Sequence, residues 1–283
     1  MATSQCIARG DSRYPSNLTD LDRPPDPLWA RGDLTTLDRT CVAIVGTRRA
    51  TPYAERVTAE LGRSIALAGA CVVSGLARGV DAAAHRAALG VGGATCAVLG
   101  TGLDVVFPKG HIGLQEQIGN CGLLLSELEP RQGAHRASFP LRNRIIAGLA
   151  SVTIVVEGAH GSGALITARH ALDLGRTVAA VPGPIDVPQS QGSNELIRDG
   201  AYAITCIADA LALTGLTAPL RLRELPDGSA ERRLWEALSE GSATLDALCS
   251  RAGLRAQEGM AAAATLELQG LVECALTGDV RRL

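Results

Sequence analysis

Short apolar runs alternate with amphipathic segments between residues 40 and 185, and this alternation constrains the fold more than any other feature. Apolar strands separated by helices are typical of a parallel sheet that is covered on both faces. We therefore predict a parallel α/β sheet here. The predicted strands are Cys41–Val45, Ala70–Ser74, Thr95–Leu99, Gly122–Ser126, Val152–Val156 and Thr177–Val181, and the predicted helices are Pro52–Ala68, Val80–Leu89, Gly110–Ile118, Pro140–Leu149 and Ala164–Leu174.

The segments on either side of this sheet differ in character. Residues 1–39 contain several turns and are predicted to be an N-terminal extension that packs on a core domain of residues 40–214. Residues 215–230 are predicted to be a linker. Three helical stretches and a short hairpin in residues 231–283 then predict a small winged-helix-like module. They are Glu231–Ser239, Leu245–Ala252 and Ala256–Gln269, followed by Leu271–Ala275 and Val280–Leu283.

The last helix of this module carries few of the side chains that a DNA-reading helix needs. Such a helix presents Arg, Lys, Asn or Gln to the major groove. Ala256–Gln269 presents two glutamines and two glutamates and contains no Arg or Lys. We therefore predict that the module does not read duplex DNA.

The charge balance limits the kind of polyanion site that the chain can form. Its 27 basic and 29 acidic residues give a net charge of −2, which argues against a protein that coats DNA through overall positive charge. Lys109 is the only lysine. A nucleic-acid site must therefore be a local cluster of arginines.

The chain has no apolar run of about 18 residues and no apolar segment near the N-terminus that is typical of a signal peptide. Its eight cysteines contain no C-x-x-C pair. We expect Cys41, Cys71, Cys96 and Cys121 to be small buried hydrophobes in a reducing compartment. These features predict a cytoplasmic protein without a membrane span, a metal site or a cofactor.

Glycines and cations collect in the loops that follow the predicted strands, which meet at one edge of a parallel sheet. Glycine lets backbone N–H groups approach an anion, and the N-terminus of the next helix adds the positive end of a dipole. We predict a phosphate-binding edge in these loops. Its candidate residues are Gly46, Thr47, Arg48, Ser74, Gly75, Lys109, Arg136, Gly161, Ser162, Gly163 and Thr167.

A further cluster surrounds Phe139, where Arg142, Asn143 and Arg144 open a helix. The arginines are predicted to bind phosphates and Phe139 to stack a base. An alternative is that at least one of the two arginines, with Arg144 the first candidate, ties internal loops together. We expect the other phenylalanine, Phe107, to plug its loop against the core.

Four further polar residues near these loops are predicted to have structural roles. Asp81 and His85 lie four residues apart on one predicted helix, and no third metal ligand lies at a matching spacing. We expect both to be structural. Glu127 and Glu157 end strands at the same edge and are predicted to orient arginines.

Two common nucleotide-binding motifs are missing from the predicted sheet. Residues 46–51 do not match G-x-G-x-x-G, and the second strand is not followed by an acid, so a dinucleotide site is not expected. The sequence also lacks G-x-x-x-x-G-K-[ST], the motif of P-loop NTPases.

Several segments in this order resemble the DprA (Smf) DNA-processing proteins of bacterial transformation. The resemblance covers residues 14–215, and its most specific part is the stretch from Phe139 to Gly148. The matching segments are Ala43–Arg48, Ser74–Asp81 with Ala84-His85, Gly100–Asp104, Ser126-Glu127, Phe139–Gly148, Ser162–Ala168 and Val181–Gly183. Phe107 replaces the usual Tyr of a Tyr-Pro pair, and Tyr53-Ala54 stands where Tyr-Gly is common.

The resemblance implies an extended Rossmann-like domain that binds single-stranded DNA and forms a homodimer. It also implies a partner, the RecA recombinase, which the family loads onto incoming strands. In the family, residues matching Arg48, Arg136 and Phe139 contact the strand, and Lys109 matches a position that is basic in some members.

Two hypotheses of different classes follow. The first is a non-enzymatic protein that protects incoming single-stranded DNA and loads RecA onto it during transformation and recombination. The alternative is a nucleotide phosphoribohydrolase-like enzyme of similar fold. Such enzymes carry a catalytic Glu in the loop that corresponds to residues 158–167, and this loop contains no acid here.

Overall fold

Buried apolar strands in the middle of the chain pair side by side in parallel. The chain is described by a computed structural model for residues 3–135, 137–216, 227–268, 271–275 and 278–282. It divides into two units, Met1–Ala218 and Pro219–Leu283. The strands of the first unit are β1 (Gln5–Ile7), β2 (Leu28–Gly32), β3 (Cys41–Val45), β4 (Cys71–Ser74), β5 (Thr95–Val98), β6 (Leu123–Ser126), β7 (Val152–Val155), β8 (Thr177–Ala180) and β9 (Tyr202–Ala203).

These strands form one sheet in the order β1-β2-β6-β5-β4-β3-β7-β8-β9. All neighbours from β6 to β9 are parallel, whereas β1 and β2 add antiparallel strands at one end. All six predicted strands are present with ends that agree within one residue. The predicted α/β class with a mostly parallel sheet is confirmed.

Helices cover both faces of this sheet. They are α1 (Pro52–Leu67), α2 (Val80–Leu89), α3 (Ile112–Cys121), α4 (Ser138–Leu149), α5 (Gly163–Asp173), α6 (Gln191–Arg198) and α7 (Ile207–Leu213). In β3, Val42 and Ile44 face the cluster that contains α1, α2 and α7 side chains, and Ala43 and Val45 face the cluster that contains α4 and α5 side chains. Because side chains alternate along a strand, both faces of β3 are apolar and buried.

The first 39 residues contribute strands as well as turns. The side chains of Ile7, Leu18 and Leu28 are fully buried in the cluster beneath α4. The sequence did not predict β1 or β2, because each is short and pairs with a distant part of the chain. The predicted linker, residues 215–230, lies mostly outside the described residues.

The second unit is a winged helix, as predicted. It consists of α8 (Ala230–Ala237), β10 (Ala243–Thr244), α9 (Leu245–Ala252), α10 (Ala256–Leu268), β11 (Val272–Cys274) and β12 (Asp279–Arg282). The three strands form an antiparallel sheet in the order β10-β12-β11. Leu234, Leu248, Leu266 and Val280 belong to a core of its own.

Three of the four cysteines expected in the core lie there. Cys41, Cys71 and Cys96 are buried on β3, β4 and β5, whereas Cys121 at the end of α3 is exposed, contrary to the prediction. In the described part of the chain, no helix has both the length and the apolar character required to cross a membrane. The same residues contain no cluster of three or more metal-ligating side chains.

Candidate nucleic-acid interface

A cleft runs along the carboxyl ends of the central strands. Two cavities of about 320 and 290 Å³ form it, and both are lined by Arg48, Arg49, Phe139 and Arg142. The first extends toward the N-terminus of α5 and the second toward the loops that follow β4 and β5. The predicted edge of the sheet therefore holds a continuous concave site.

An aromatic pair and a guanidinium occupy the middle of the cleft. The ring centroids of Phe107 and Phe139 are 5.0 Å apart, and the Arg48 guanidinium carbon lies 5.6 Å from the Phe139 centroid. Phe107 is 47% exposed, so the prediction that it plugs its loop against the core is wrong. The two rings and the cation form a surface on which a planar base can stack.

Gly100 determines where the Phe139 ring lies. A Cβ atom at this position would approach Cδ1 of Phe139 to 2.6 Å, which is closer than atoms can pack. The loop after β5 therefore needs glycine here so that the ring of α4 can lie against its backbone.

Backbone hydrogen bonds hold Arg48 over the edge of the sheet. The Thr47 amide donates to the carbonyl of Glu157 at 2.7 Å, which ties the loop after β3 to the end of β7. The buried Glu157 carboxylate accepts from the amide and the hydroxyl of Thr51, at 3.1 and 2.9 Å. Glu157 thus fixes this loop and, within the described residues, pairs with no arginine, contrary to the prediction.

Gly46 also allows the loop after β3 to pack closely against its neighbours, α2 and the end of β7. A Cβ atom there would come within 2.6 Å of Val80 Cγ2 and 2.9 Å of the Glu157 carbonyl oxygen. Gly46 therefore lets the loop approach α2 and β7 closely, and it lines the first cavity.

Four exposed cations surround the cleft: Arg48, Arg49, Arg78 and Lys109. Within the described ranges, none of them has a carboxylate at ion-pair distance. Lys109 follows Pro108, a wall of the second cavity, although its own side chain is not part of that wall. Arg136, another predicted cation, lies outside the described residues.

Arg142 is buried beneath the exposed cations of the cleft. Its Nη1 donates to the carbonyl of Gly75 at 2.7 Å and also to the carbonyl of Val98, and its Nε donates to Asn143. Burial lowers its pKa to about 10, so the guanidinium stays charged at neutral pH. Arg142 connects α4 to the ends of β4 and β5. The side chain is therefore committed to internal hydrogen bonds, and its predicted use as a phosphate donor is corrected to a structural role.

Arg144 and Ser74 also have internal partners. Arg144 Nη2 contacts the Glu127 carboxylate at 2.7 Å, and both side chains are largely buried. Arg144 thus ties internal segments together, which was the alternative to phosphate binding, and Glu127 orients an arginine as predicted. The Ser74 hydroxyl donates to the Ile44 carbonyl at 2.7 Å. Ser74 is fully buried, so its predicted contact with phosphate through the side chain is not supported by this geometry.

The N-terminus of α5 forms the other wall of the first cavity. Asn143 Nδ2 donates to the Gly163 carbonyl at 3.1 Å, and Thr167 Oγ1 contacts the same oxygen at 3.4 Å. Ser162 Oγ is buried and has no hydrogen-bond partner in the described part of the chain. Ser162, Gly163 and Thr167 line the cavity, whereas the exposed Gly161, with φ of +69°, shapes the turn before it.

Asp81 and His85 hold the fold together beside the cleft. The Asp81 carboxylate accepts from the amides of Gly75 and Ala77, at 3.2 and 3.3 Å. Burial raises the pKa of Asp81, and the charge of Arg142 opposes that effect. His85 Nδ1 lies 2.7 Å from Thr95 Oγ1 in the core, and burial lowers the pKa of His85 to about 3. Neither group is arranged as a metal ligand.

Arg49 and Arg78 were not among the predicted site residues. Each lies four residues after the end of a predicted strand, in a glycine-containing loop like that of Arg48. Their place in these loops could have identified Arg49 and Arg78 as site residues from the sequence.

Comparisons with known proteins agree with this architecture. Residues 5–215 match the family model of DNA recombination-mediator protein A, and residues 218–275 match the DprA winged helix domain. The DprA protein of Mycobacterium tuberculosis is 41% identical over 260 residues, covering 88% of this chain and 67% of that protein. DprA of Streptococcus pneumoniae is 43% identical over 206 residues, 71% of each chain.

Two solved structures extend the comparison. The X-ray structure of Streptococcus pneumoniae DprA has a TM-score of 0.71 and 42% identity, covering 75% of this chain and 74% of its own. DprA of Helicobacter pylori, whose structure is described as giving insight into its single-stranded DNA binding mode, has a TM-score of 0.69 and 33% identity. That match covers 77% of this chain and all of the other.

The fold and the cleft define a DNA-processing protein in which a Rossmann-like domain with a cationic, aromatic-lined site is followed by a winged helix. Within that class, the chain belongs to the DprA family.

Proposed function

We propose that the cleft binds single-stranded DNA, that the protein protects incoming DNA, and that it loads RecA onto that DNA during natural transformation and recombination. The observation that carries the proposal is the stacking of Arg48 over Phe139, 5.6 Å from the ring centroid, with Phe107 beside it. Bases in a single strand are free to stack on such a surface, whereas bases in a duplex are not.

The cations around the aromatic pair fit the backbone of a strand. Arg48, Arg49, Arg78 and Lys109 are exposed, and they come from three different loops. Separate charges can neutralise successive phosphates and release their counterions, so affinity depends on salt. The description of the Helicobacter pylori relative as a single-stranded DNA binder supports the same ligand.

A binding titration tests this proposal. Fluorescence anisotropy with single-stranded and duplex oligonucleotides at two salt concentrations should give tighter binding to the single strand and a steep loss of affinity at the higher salt. Equal affinity for both forms, or affinity that does not change with salt, would contradict it.

We also propose that the cleft binds the strand without chemical change, needs no cofactor and works in the cytoplasm. The acid at the end of β7, Glu157, is engaged by the amide and hydroxyl of Thr51, which supports a structural use of that carboxylate. An assay for release of adenine from AMP should be negative. Release would favour the phosphoribohydrolase alternative.

The partners in this proposal are a second copy of the chain and RecA. Light scattering across a concentration series should detect the homodimer. RecA filament assembly on single-stranded DNA should be faster with the protein than without it. Unchanged assembly, with DNA binding intact, would remove RecA loading from the proposal.

A further inference from the structure

A second aromatic residue with an arginine over its ring lies close to the first along the chain. The Arg56 guanidinium carbon is 5.7 Å from the Tyr53 ring centroid, a separation almost equal to the 5.6 Å between Arg48 and Phe139. Tyr53 and Arg56 lie in the first turns of α1, directly after the loop that carries Arg48. Both sites therefore contain a ring for a base and a cation for a phosphate.

Hydrogen bonding holds the Tyr53 ring in place. Its hydroxyl donates to the Pro182 carbonyl at 3.2 Å, so the side chain reaches from α1 to the loop that follows β8. Tyr53 remains 38% exposed, and Arg56 is exposed beside it. A tethered aromatic side chain loses little conformational entropy when a ligand stacks on it.

Arg49 connects the two sites. It is exposed, it lines both cavities of the cleft, and it lies between Arg48 and Tyr53 in the chain. Tyr53 is the fifth residue after Arg48, so their Cα atoms can be at most about 18 Å apart. Inside the described ranges, neither Arg49 nor Arg56 has a carboxylate at ion-pair distance. The exposed Arg49 therefore lies on the segment that joins the Phe139 site to Tyr53.

We propose that Tyr53 and Arg56 form a second base-stacking position, which takes the part of a single strand that leaves the Phe139 site across Arg49. This inference rests on the proposed binding of single-stranded DNA and extends it. Strands long enough to reach both positions gain a stacked base and a phosphate contact, whereas shorter strands engage the Phe139 site alone.

Anisotropy titrations with oligothymidylates of about 4 to 16 nucleotides, the range of site sizes for stacking-type sites, test the proposal. Tyr53→Ala should weaken binding of the longest strand by about 5- to 150-fold, the value of one stacked base, and leave the shortest strand unaffected. Tyr53→Phe keeps the ring and should retain most of the affinity for the long strand. Arg56→Gln should also act on the long strand only.

The chain offers matched controls. Tyr202→Ala removes another exposed tyrosine, and Arg63→Gln removes an equal charge seven residues further along α1. Neither should alter affinity at any strand length. Phe139→Ala should weaken binding at every length, which reports on the proposed function separately.

Each other outcome has a defined meaning. If Tyr53→Ala leaves the long strand unaffected while Phe139→Ala weakens it, the second position does not exist and the proposed function stands. If Tyr53→Ala weakens short and long strands equally, its effect acts through the first site and the second position is refuted. If the unchanged protein binds no strand of any length, the proposed function fails, and this inference fails with it.

Discussion

Arg142 Nη1 donates to the Gly75 carbonyl at 2.7 Å, and this bond joins the helix that carries Phe139 to the loop that follows β4. Gly75 has room for this partner because it lacks a side chain: a Cβ atom there would come within 2.4 Å of Arg142 Nη2. The same guanidinium compensates the buried Asp81 carboxylate. The cleft is thus built on a buried charged group, while exposed arginines form its surface.

Replacing Arg142 should therefore destabilise the folded protein. Arg142→Met leaves Asp81 buried without its compensating charge and should lower the free energy of unfolding by about 3–5 kcal/mol. Arg48→Met, at an exposed position, should change it by no more than about 0.5 kcal/mol. Urea unfolding of both variants at neutral pH measures the difference, and equal stabilities would contradict the assigned roles.

Arg48 should instead control the salt dependence of binding. Arg48→Ala removes one phosphate contact, so the slope of log affinity against log salt for a single strand should become shallower by about 0.7. A titration series at four salt concentrations measures this slope. Arg86→Ala, an exposed arginine near the other end of α2, provides the control and should leave the slope unchanged.

Gly100→Ala should affect the cleft without adding or removing a charge. The new methyl group would overlap the Phe139 ring, which must turn away from the loop after β5. Affinity for a single strand should fall toward that of Phe139→Ala, while the salt slope stays as in the unchanged protein. Because Phe139 is only partly buried, stability should fall by about 1 kcal/mol or less. Unchanged affinity would show that the ring position is unimportant for binding.

The sequence predicts the sheet well because β3 to β8 are short apolar runs between amphipathic helices. It does not predict β1 and β2, because three to five residues carry little pattern. In addition, β1 pairs only with β2, and the other partner of β2, the strand β6, lies about 90 residues further along the chain. Loops and helix N-termini that follow parallel strands meet at one edge, so the approach of Arg48 to Phe139, in the first turn of α4, could be anticipated.

The direction of individual side chains in the site could not be anticipated in the same way. Arg142 and Arg144 open the same helix with similar neighbours in sequence. Their different partners depend on distant parts of the chain. Arg142 donates to the carbonyl oxygens of Gly75 and Val98, which lie 67 and 44 residues before it, whereas Arg144 pairs with the Glu127 carboxylate. Likewise, Phe107 packs against Phe139, a residue of α4 that lies 32 residues further along the chain, and so lies in the cleft instead of the core.

His85 should make the protein less stable in mild acid. Burial and the charge of Arg142 lower the pKa of His85 to about 3 in the folded protein, whereas an unfolded histidine has a pKa of about 6.5. Between these values the unfolded chain binds a proton that the folded chain does not, so stability falls as pH falls below 6.5. The loss between pH 6.5 and pH 5 should be about 2 kcal/mol.

Urea unfolding at a series of pH values measures this effect. In His85→Gln the unfolded side chain no longer titrates, so the contribution of this residue to the slope should disappear even if the variant is less stable overall. The same slope in both proteins would assign the acid sensitivity to other groups.

The winged helix should contribute little to duplex binding. The described part of α10 exposes Ala256, Gln257, Met260, Ala261, Ala264 and Glu267, and Glu258 is paired with Arg255 at 2.5 Å. Three alanines and a methionine offer no hydrogen bonds to base edges, and the exposed Glu267 would repel phosphates. Deleting residues 219–283 should therefore leave the affinity for duplex DNA unchanged within about twofold, with single-strand affinity as evidence that the first unit remains folded. Loss of duplex binding on deletion, with single-strand binding intact, would show that the winged helix contacts duplex DNA through another surface.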